Sequence, residues 1–347
     1  METLEITSKH PYNVVIGSGI IKDTGKLLRE IAKPCKVCII TDSNVNGIFS
    51  QVVISSLIEA GFQTSKILFP AGEHSKNINT YTQIVTALTE ERMNRQDIII
   101  ALGGGVVGDV AGFVAATYMR GIRYVYVPTT PLAAIDGSIG GKTALNLPTG
   151  KNLIGAFWHP SLVICDYNAY SSLPESVIMD GLAEGLKSAV ISDSSLLPHI
   201  ETRDFKYILS RCLSLRKSFV EADQEDTGIR QMLDFGHTIG HAIERLSCYN
   251  ISHGQALAKG MIAEAKGAFA LGLTNHDISG QLEYILKGLG FDTSLNYSPQ
   301  LIYEHALIDK KICHSTISVI APMTIGKCTL QKLPLANFHQ FLEASLA

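Results

Sequence analysis

Two histidines four residues apart, His237 and His241, lie in the run DFGHTIGHAIE, with Glu244 a turn further on, and a third, His253, follows in SHG. On a helix that spacing puts both imidazoles on one face. Three imidazoles with nearby carboxylates are a donor set suited to a catalytic divalent metal, most often zinc. The same pair also suits buried, hydrogen-bonded histidines of a helical core, and spacing alone leaves both readings open.

A second chemistry-bearing block is Gly103, Gly104, Gly105, Gly108 and Asp109. It follows the apolar run Asp97–Leu102 and leads into the apolar stretch Val110–Ala116. Strand, glycine turn, helix is the setting in which backbone N–H groups hold a pyrophosphate. It departs from the usual dinucleotide fingerprint: it follows a later strand, and no acidic residue ends the next one. A nucleotide site outside the standard Rossmann pattern is expected, although a tight turn also needs such glycines. Further on, one glycine-rich basic loop is expected to carry Pro128-Thr-Thr130, Asp136, Gly140-Gly-Lys142-Thr143 and Gly150-Lys151-Asn152. Lysines flanked by glycine approach a phosphate or carboxylate closely. The position where a P-loop needs its opening glycine holds Asp136, which argues against a kinase.

These groups need elements to hold them. Strand-like runs at Tyr12–Ile16, Lys36–Thr41, Thr64–Phe69, Asp97–Leu102 and Tyr124–Val127 alternate with helical patterns such as Ile48–Ala60 and Asn79–Glu91. That alternation predicts a parallel sheet covered on both faces. Beyond Leu173-Pro174 helical periodicity takes over, at Pro174–Ile191, Leu196–Ala222, Gln231–Leu246, Gly254–Leu271 and Ile278–Leu289. A small hairpin is expected near Ile317–Ile320 and Cys328–Leu330. The reading is an α/β domain over residues 1–172 and a mainly helical one over 173–347, with the cleft between them as the expected site.

Composition narrows the function classes. A chain of 347 residues with 46% hydrophobic and 18% charged residues suits a compact enzyme. The formal charge of −3 offers no positive excess for nucleic acid. No apolar run has membrane-span length, and METLEITSKH lacks a hydrophobic signal core, so no membrane partner is expected. Seven scattered cysteines do not make a disulfide framework, and a reducing cytoplasm is expected. Cys35 and Cys38 have redox-like spacing but lead into a strand, which explains both.

Taken together, GGGVVGDVAGFVAATYMRG, VPTTPLAAIDGSIGGKTALN, GKNLIGAF, LPESVIMDGLAEGLK, DFGHTIGHAIE, SHGQA and DKK resemble the 3-dehydroquinate synthase family of sugar-phosphate cyclases. They run in order from about residue 100 to 311, and TDSNV and AGEHSK are similar to the family more weakly. The resemblance implies a Rossmann-like NAD-binding domain followed by a helical metal-binding domain. It implies zinc, with cobalt as an alternative, held by Glu184, His237 and His253, leaving His241 for proton transfer. Asp42, Asn44, Glu73, Lys76, Gly104, Gly105, Asp109, Thr129, Thr130, Lys151 and Ser172 would line the NAD site. Asp136, Lys142, Asn152, Lys187, Arg230, His241 and Lys310 would meet a sugar acid phosphate. Among these, Lys142, Asn152, Lys187, Arg230 and His241, together with Asp226, would carry the catalytic work. Arg120 looks like the family arginine that reaches a neighbouring subunit, which implies a homodimer.

Three positions depart from the family pattern. Arg216 stands where a substrate-binding lysine is usual, Asp226 replaces a glutamate assigned to proton transfer, and Asp234 replaces a substrate-binding asparagine. The first keeps charge but changes geometry, and the last sets an extra anion beside an anionic substrate. The implied reaction converts 3-deoxy-D-arabino-heptulosonate 7-phosphate to 3-dehydroquinate and phosphate, within the shikimate route to aromatic amino acids. It runs through transient NAD-dependent alcohol oxidation, phosphate elimination, re-reduction and intramolecular aldol closure. Rival readings are a cyclase with another substrate, which Asp234 favours, a metal- and NAD-dependent polyol dehydrogenase, and a non-catalytic NAD-binding protein.

Overall fold

The computed structural model describes residues 1–8, 10–307, 312–313 and 315–346. The chain divides into two compact units, Met1–Pro174 and Glu175–Ala347.

The first unit is an α/β layer structure. Its strands are β1 (Glu2–Ile6), β2 (Tyr12–Gly17), β3 (Lys36–Asp42), β4 (Gln63–Phe69), β5 (Ile98–Gly103), β6 (Arg123–Pro128), β7 (Lys142–Leu147), β8 (Gly150–Phe157) and β9 (Leu162–Asp166). Its helices are α1 (Thr24–Ile31), the single turn α2 (Ser43–Val45), α3 (Gln51–Glu59), α4 (Ile78–Glu90) and α5 (Gly105–Thr117). Seven strands form one sheet in the order β1-β2-β9-β6-β5-β3-β4, parallel except for the β1–β2 pair. β5 is buried along its whole length, which is why IIIALG reads as a continuous apolar run without alternation.

Chain order decides where this sheet can bind. From β3 the chain crosses to β4 on one side, and from β5 it crosses to β6 on the other. The strand order therefore reverses between β3 and β5, and the crevice beyond their carboxyl ends is the place where such sheets hold ligands.

The glycine-rich basic stretch is not a loop: β7 and β8 pair as an antiparallel hairpin. Its glycines hide the alternation a strand should show. At Gly155 an added Cβ would lie 2.3 Å from the Thr143 carbonyl oxygen, so glycine there serves backbone approach.

The second unit is mainly helical, with α6 (Glu175–Ser192), α7 (Leu197–Glu201), α8 (Phe205–Ala222), α9 (His237–Leu246), α10 (His253–Ala270), α11 (Ser279–Leu289), α12 (Pro299–Ala306) and α13 (Leu335–Leu346). A small antiparallel sheet, β10 (Ile312–Cys313), β11 (Thr316–Thr324) and β12 (Lys327–Pro334), completes it. Its core joins Ile239 and Ile243 of α9, Ala256 and Ala263 of α10, and Phe338, Phe341 and Leu342 of α13. Central helix α6 is buried from Gly181 to Ile191, charged residues included.

Two stretches read as single helices are broken. Leu196–Ala222 divides at 202–204, where Arg203 is left-handed (φ 56°) and Asp204 caps α8 by accepting from the Tyr207 N–H. Gln231–Leu246 divides into a 3₁₀ turn, Ile229–Asp234, and α9, with left-handed Gly236 (φ 78°) between them. A Cβ on Gly236 would meet the Met261 backbone nitrogen at 2.8 Å, so both conformation and packing require glycine there. No described helix is long and apolar enough to cross a membrane.

Candidate active site

Helix α10 packs on both α6 and α9, and Glu184, His237 and His253 come together there. One donor atom from each lies within 4.8 Å of the others. The Nε2 atoms of His237 and His253 stand 3.4 and 3.0 Å from Glu184 Oε1. Their Nδ1 atoms face away: that of His237 lies 3.3 Å from the Phe235 carbonyl oxygen, and that of His253 lies 2.7 Å from Glu244 Oε1. Imidazoles held by one nitrogen, with the other turned toward a shared carboxylate, are the arrangement a divalent cation needs, with outer partners fixing ring orientation. The donor set fits a metal.

His241 lies on the same face as His237, with ring centroids 5.4 Å apart, but is not a member of the Glu184 cluster. Instead it groups with Glu244 and His253 at the margin of the cluster. Lys187 pairs with Glu184 at 2.5 Å, and both are buried, where spacing alone suggests a surface pair. Burial opposes ionisation of Glu184, yet the Lys187 charge and the hydrogen bonds of His237 and His253 hold its carboxyl well below the usual range. Burial also opposes a charge on His253, but Glu184 and Glu244 push it up to about 10. A metal held by His253 would displace that proton.

Arg216 on α8 and Arg230 on the turn after it are both buried, and that turn packs on α6 and α8. With Lys187 they add buried positive charge to this unit. Asp223 organises the turn by accepting from the N–H groups of Thr227, Gly228 and Arg230 at 3.1, 2.7 and 3.1 Å. Within it Asp226 is left-handed (φ 59°), and Asp234 ends the adjoining 3₁₀ turn half-buried. Lys310 lies outside the described residues.

In the first unit, the residues matched to an NAD site gather beyond the carboxyl ends of the parallel strands. Asp42 ends β3 and accepts from the N–H groups of Asn44 and Val45 at 2.9 and 3.0 Å. Gly104 and Gly105 open α5 beside β5, while Thr129 and Thr130 follow β6. Ser172, itself exposed, ends the turn that leaves β9. The glycines differ in purpose. A Cβ on Gly108 would strike the Tyr126 ring at 2.4 Å, whereas one on Gly105 meets nothing within 4 Å. Open space above the first turn of α5, at the point where strand order reverses, fits a dinucleotide pyrophosphate.

Glu73 and Lys76 follow β4. Lys76 is buried, hydrogen-bonded to Asp109 and, at 2.5 Å, to Asn152 Oδ1. Burial raises the Asp109 carboxyl, with Lys76 opposing. Lys151 approaches Glu73 at 4.0 Å, Asp136 adds to the negative charge felt by Asp109, and Lys142 is exposed at the start of β7. Arg120 is not among this group. It is exposed and left-handed (φ 63°) past the far end of α5, roughly 20 Å from Gly105 at 1.5 Å per residue.

Several supporting residues escaped the reading of motifs. Glu244 was seen beside the histidines but given no role. Asp180, one turn before Glu184, accepts from Ser252 Oγ and the Gly254 N–H, both at 2.7 Å, and so clamps the two neighbours of His253. Glu264 accepts from the Gly236 N–H at 2.6 Å and fixes the turn that presents His237. Nothing in local sequence announces these contacts, because each joins residues distant along the chain. The Cys35–Cys38 pair is free of disulfide, and burial pushes the Cys38 thiol up to about 11, as suits a strand residue.

Residues 66–180 match the 3-dehydroquinate synthase N-terminal family, and residues 181–312 match its C-terminal counterpart. The 3-dehydroquinate synthase of Clostridium acetobutylicum is 37% identical over 353 residues, covering 99% of each chain. Among solved structures, 2-deoxy-scyllo-inosose synthase in complex with carbaglucose-6-phosphate, NAD⁺ and Co²⁺ superposes with a TM-score of 0.88 at 25% identity, covering 99% of each chain. A 2-epi-5-epi-valiolone synthase from Streptomyces hygroscopicus with bound NAD⁺ and Zn²⁺ gives 0.87 at 23% identity, over 100% of this chain and 98% of that one, and speaks to the fold alone.

Proposed function

The chain belongs to the 3-dehydroquinate synthase family, and we propose that it closes 3-deoxy-D-arabino-heptulosonate 7-phosphate to 3-dehydroquinate with release of phosphate. The observation that carries this reading is the convergence of His237 Nε2 and His253 Nε2 on Glu184 Oε1, with both Nδ1 atoms tied elsewhere. A divalent metal there, zinc on this reading, supplies Lewis acidity toward substrate hydroxyls. NAD supplies a hydride acceptor that is regenerated within each turnover, so it acts catalytically.

The chain's own residues bind, orient and move protons. Lys142, Asn152, Lys187, Arg216, Arg230 and Lys310 hold the carboxylate and phosphate of the substrate, with Asp136 and Asp234 toward its hydroxyls, and their binding energy is directed to orientation. His241, outside the Glu184 cluster, is assigned to proton relay, with Asp226 as a second proton carrier. Residues 1–172 hold NAD through Asp42, Asn44, Glu73, Lys76, Gly104, Gly105, Asp109, Thr129, Thr130, Lys151 and Ser172, and residues 173–347 hold the metal. Arg120, exposed and remote from the first unit's other candidates, is assigned to the site of a second subunit in a homodimer. A cytoplasmic, reducing setting suits its free thiols.

The test is incubation of zinc-loaded protein with the heptulosonate phosphate and catalytic NAD⁺. Matched formation of phosphate and dehydroquinate without NADH accumulation is expected. Stoichiometric NADH, or no phosphate from folded protein with metal and NAD bound, would overturn the assignment.

A further inference from the structure

We propose that Asn146 is a positioning residue that couples the NAD side of the first unit to the substrate-facing tip of its β7–β8 hairpin. The proposal rests on the roles given above to Glu73, Lys76 and Asn152.

The hairpin register breaks at Asn146. Leu145 pairs with Ile154 and Leu147 with Gly150, so the single residue Asn146 faces three, Lys151, Asn152 and Leu153. Such a bulge bends its strand and takes N–H groups out of the ladder. Asn152 is left-handed there (φ 56°), and its N–H donates to Asn146 Oδ1 at 3.0 Å. The Asn146 side chain thus takes the place of a missing strand partner and fixes where Asn152 points. Its other end faces the loop after β4: Asn146 Nδ2 donates to Glu73 Oε1 at 2.7 Å, and its backbone N–H donates to the Lys76 carbonyl at 2.8 Å. Lys76 Nζ closes the ring on Asn152 Oδ1 and on Asp109.

An amide has both a donor and an acceptor, and Asn146 uses one toward each partner. Any shift of Glu73 and Lys76 on cofactor binding must move Asn152, and the reverse. Two ligands that share such an element bind with a coupling factor that is the same measured from either side.

Titration of zinc-loaded protein with NAD⁺, with and without saturating inorganic phosphate, reads that factor directly and does not require turnover. The expectation is about a fivefold tightening of NAD⁺ by phosphate in the parent, the lower end of ordinary coupling. In Asn146→Ala the factor should fall to one. Asn146→Asp keeps the acceptor for Asn152 but loses the donor to Glu73, and it should also lose the factor while binding phosphate alone as the parent does. The single tryptophan, Trp158, whose Nε1 donates to the Ile122 carbonyl in the same unit, reports whether each variant is folded. An undiminished factor in a folded variant, or no coupling in the parent, overturns the proposal alone. A parent that binds no NAD⁺ overturns the family assignment and this inference with it.

Discussion

The two units carry their chemistry in opposite ways. In Met1–Pro174 the pyrophosphate cradle of the candidate cofactor site is made of backbone: strand ends, the first turn of α5, and a glycine whose missing side chain leaves room. In Glu175–Ala347 the candidate metal site is made of side chains on α6, α9 and α10, each held by a further side chain or carbonyl. A backbone site is specified by topology and is damaged by adding atoms. A side-chain site is specified by residue identity and is damaged by removing them. If that distinction holds, substitutions in one unit leave the other's ligand untouched.

The largest effect is expected from His237→Ala. Removing one of three metal ligands should lower turnover about a thousandfold, equivalent to the several kcal/mol a Lewis acid supplies. Metal content by elemental analysis should fall with it, while NAD⁺ affinity by titration stays at the parent value. Loss of NAD⁺ binding in that variant would break the separation of the two sites.

Glu244→Gln comes next. Glu244 accepts from His253 on the side away from Glu184, and loss of such an outer carboxylate costs about 10- to 100-fold in metal affinity. Competition with a chelator measures it. Because Glu184 and Glu244 together raise His253 to about 10, metal affinity in the parent should climb as pH rises toward that value. With Glu244 neutral, the climb should end at lower pH. An unchanged pH profile would mean that Glu244 does not act through His253.

The glycine pair tests the backbone site. Gly105→Val adds atoms where a Cβ meets nothing, so stability should hold while NAD⁺ affinity falls about tenfold, some 1.4 kcal/mol. Gly108→Ala puts a methyl into the Tyr126 ring and should cost about 1–3 kcal/mol in denaturant unfolding through overpacking. The reverse pattern would mean that Gly105, not Gly108, is structural.

The same contrast explains what the sequence could disclose. β3, β5 and β6 were legible because buried parallel strands are continuous apolar runs, and the Gly103–Gly108 turn was legible because close approach at Gly103 and Gly108 leaves no room for a side chain. His237 and His241 were legible as partners by helical spacing, but spacing did not say which of them faces Glu184. Selecting His237 took the family resemblance, and the geometry puts its Nε2 beside Glu184, presented by a left-handed Gly236 that the helical pattern hid. The β7–β8 hairpin was missed because its glycines and lysines imitate a loop. Asp180, Asn146 and Glu264 were missed because their partners lie far along the chain, and pairing across such separations exists only once the helices and strands are packed.

The smallest expected effect marks the far boundary of the metal site. Lys259, buried on the same helix as His253, donates to Asp292 Oδ2 at 2.6 Å and to the Ser294 carbonyl. The hydrogen bond from Lys259 leads, with those from Ser294 adding, in holding the Asp292 carboxyl well below its usual range. A carboxylate depressed on folding stabilises fully above its unfolded pKa, near pH 4, and that stabilisation is lost as pH falls through the lower folded value. Asp292 is largely exposed, so solvent screening keeps the contribution under about 1 kcal/mol. Asp292→Asn should therefore lower the melting temperature slightly at pH 7 and progressively less as pH falls below about 4, with metal affinity unchanged. A measurable loss of metal would show that the α10 helix transmits strain to His253 along its length, and the side-chain site would then extend well beyond the residues that touch its ligands.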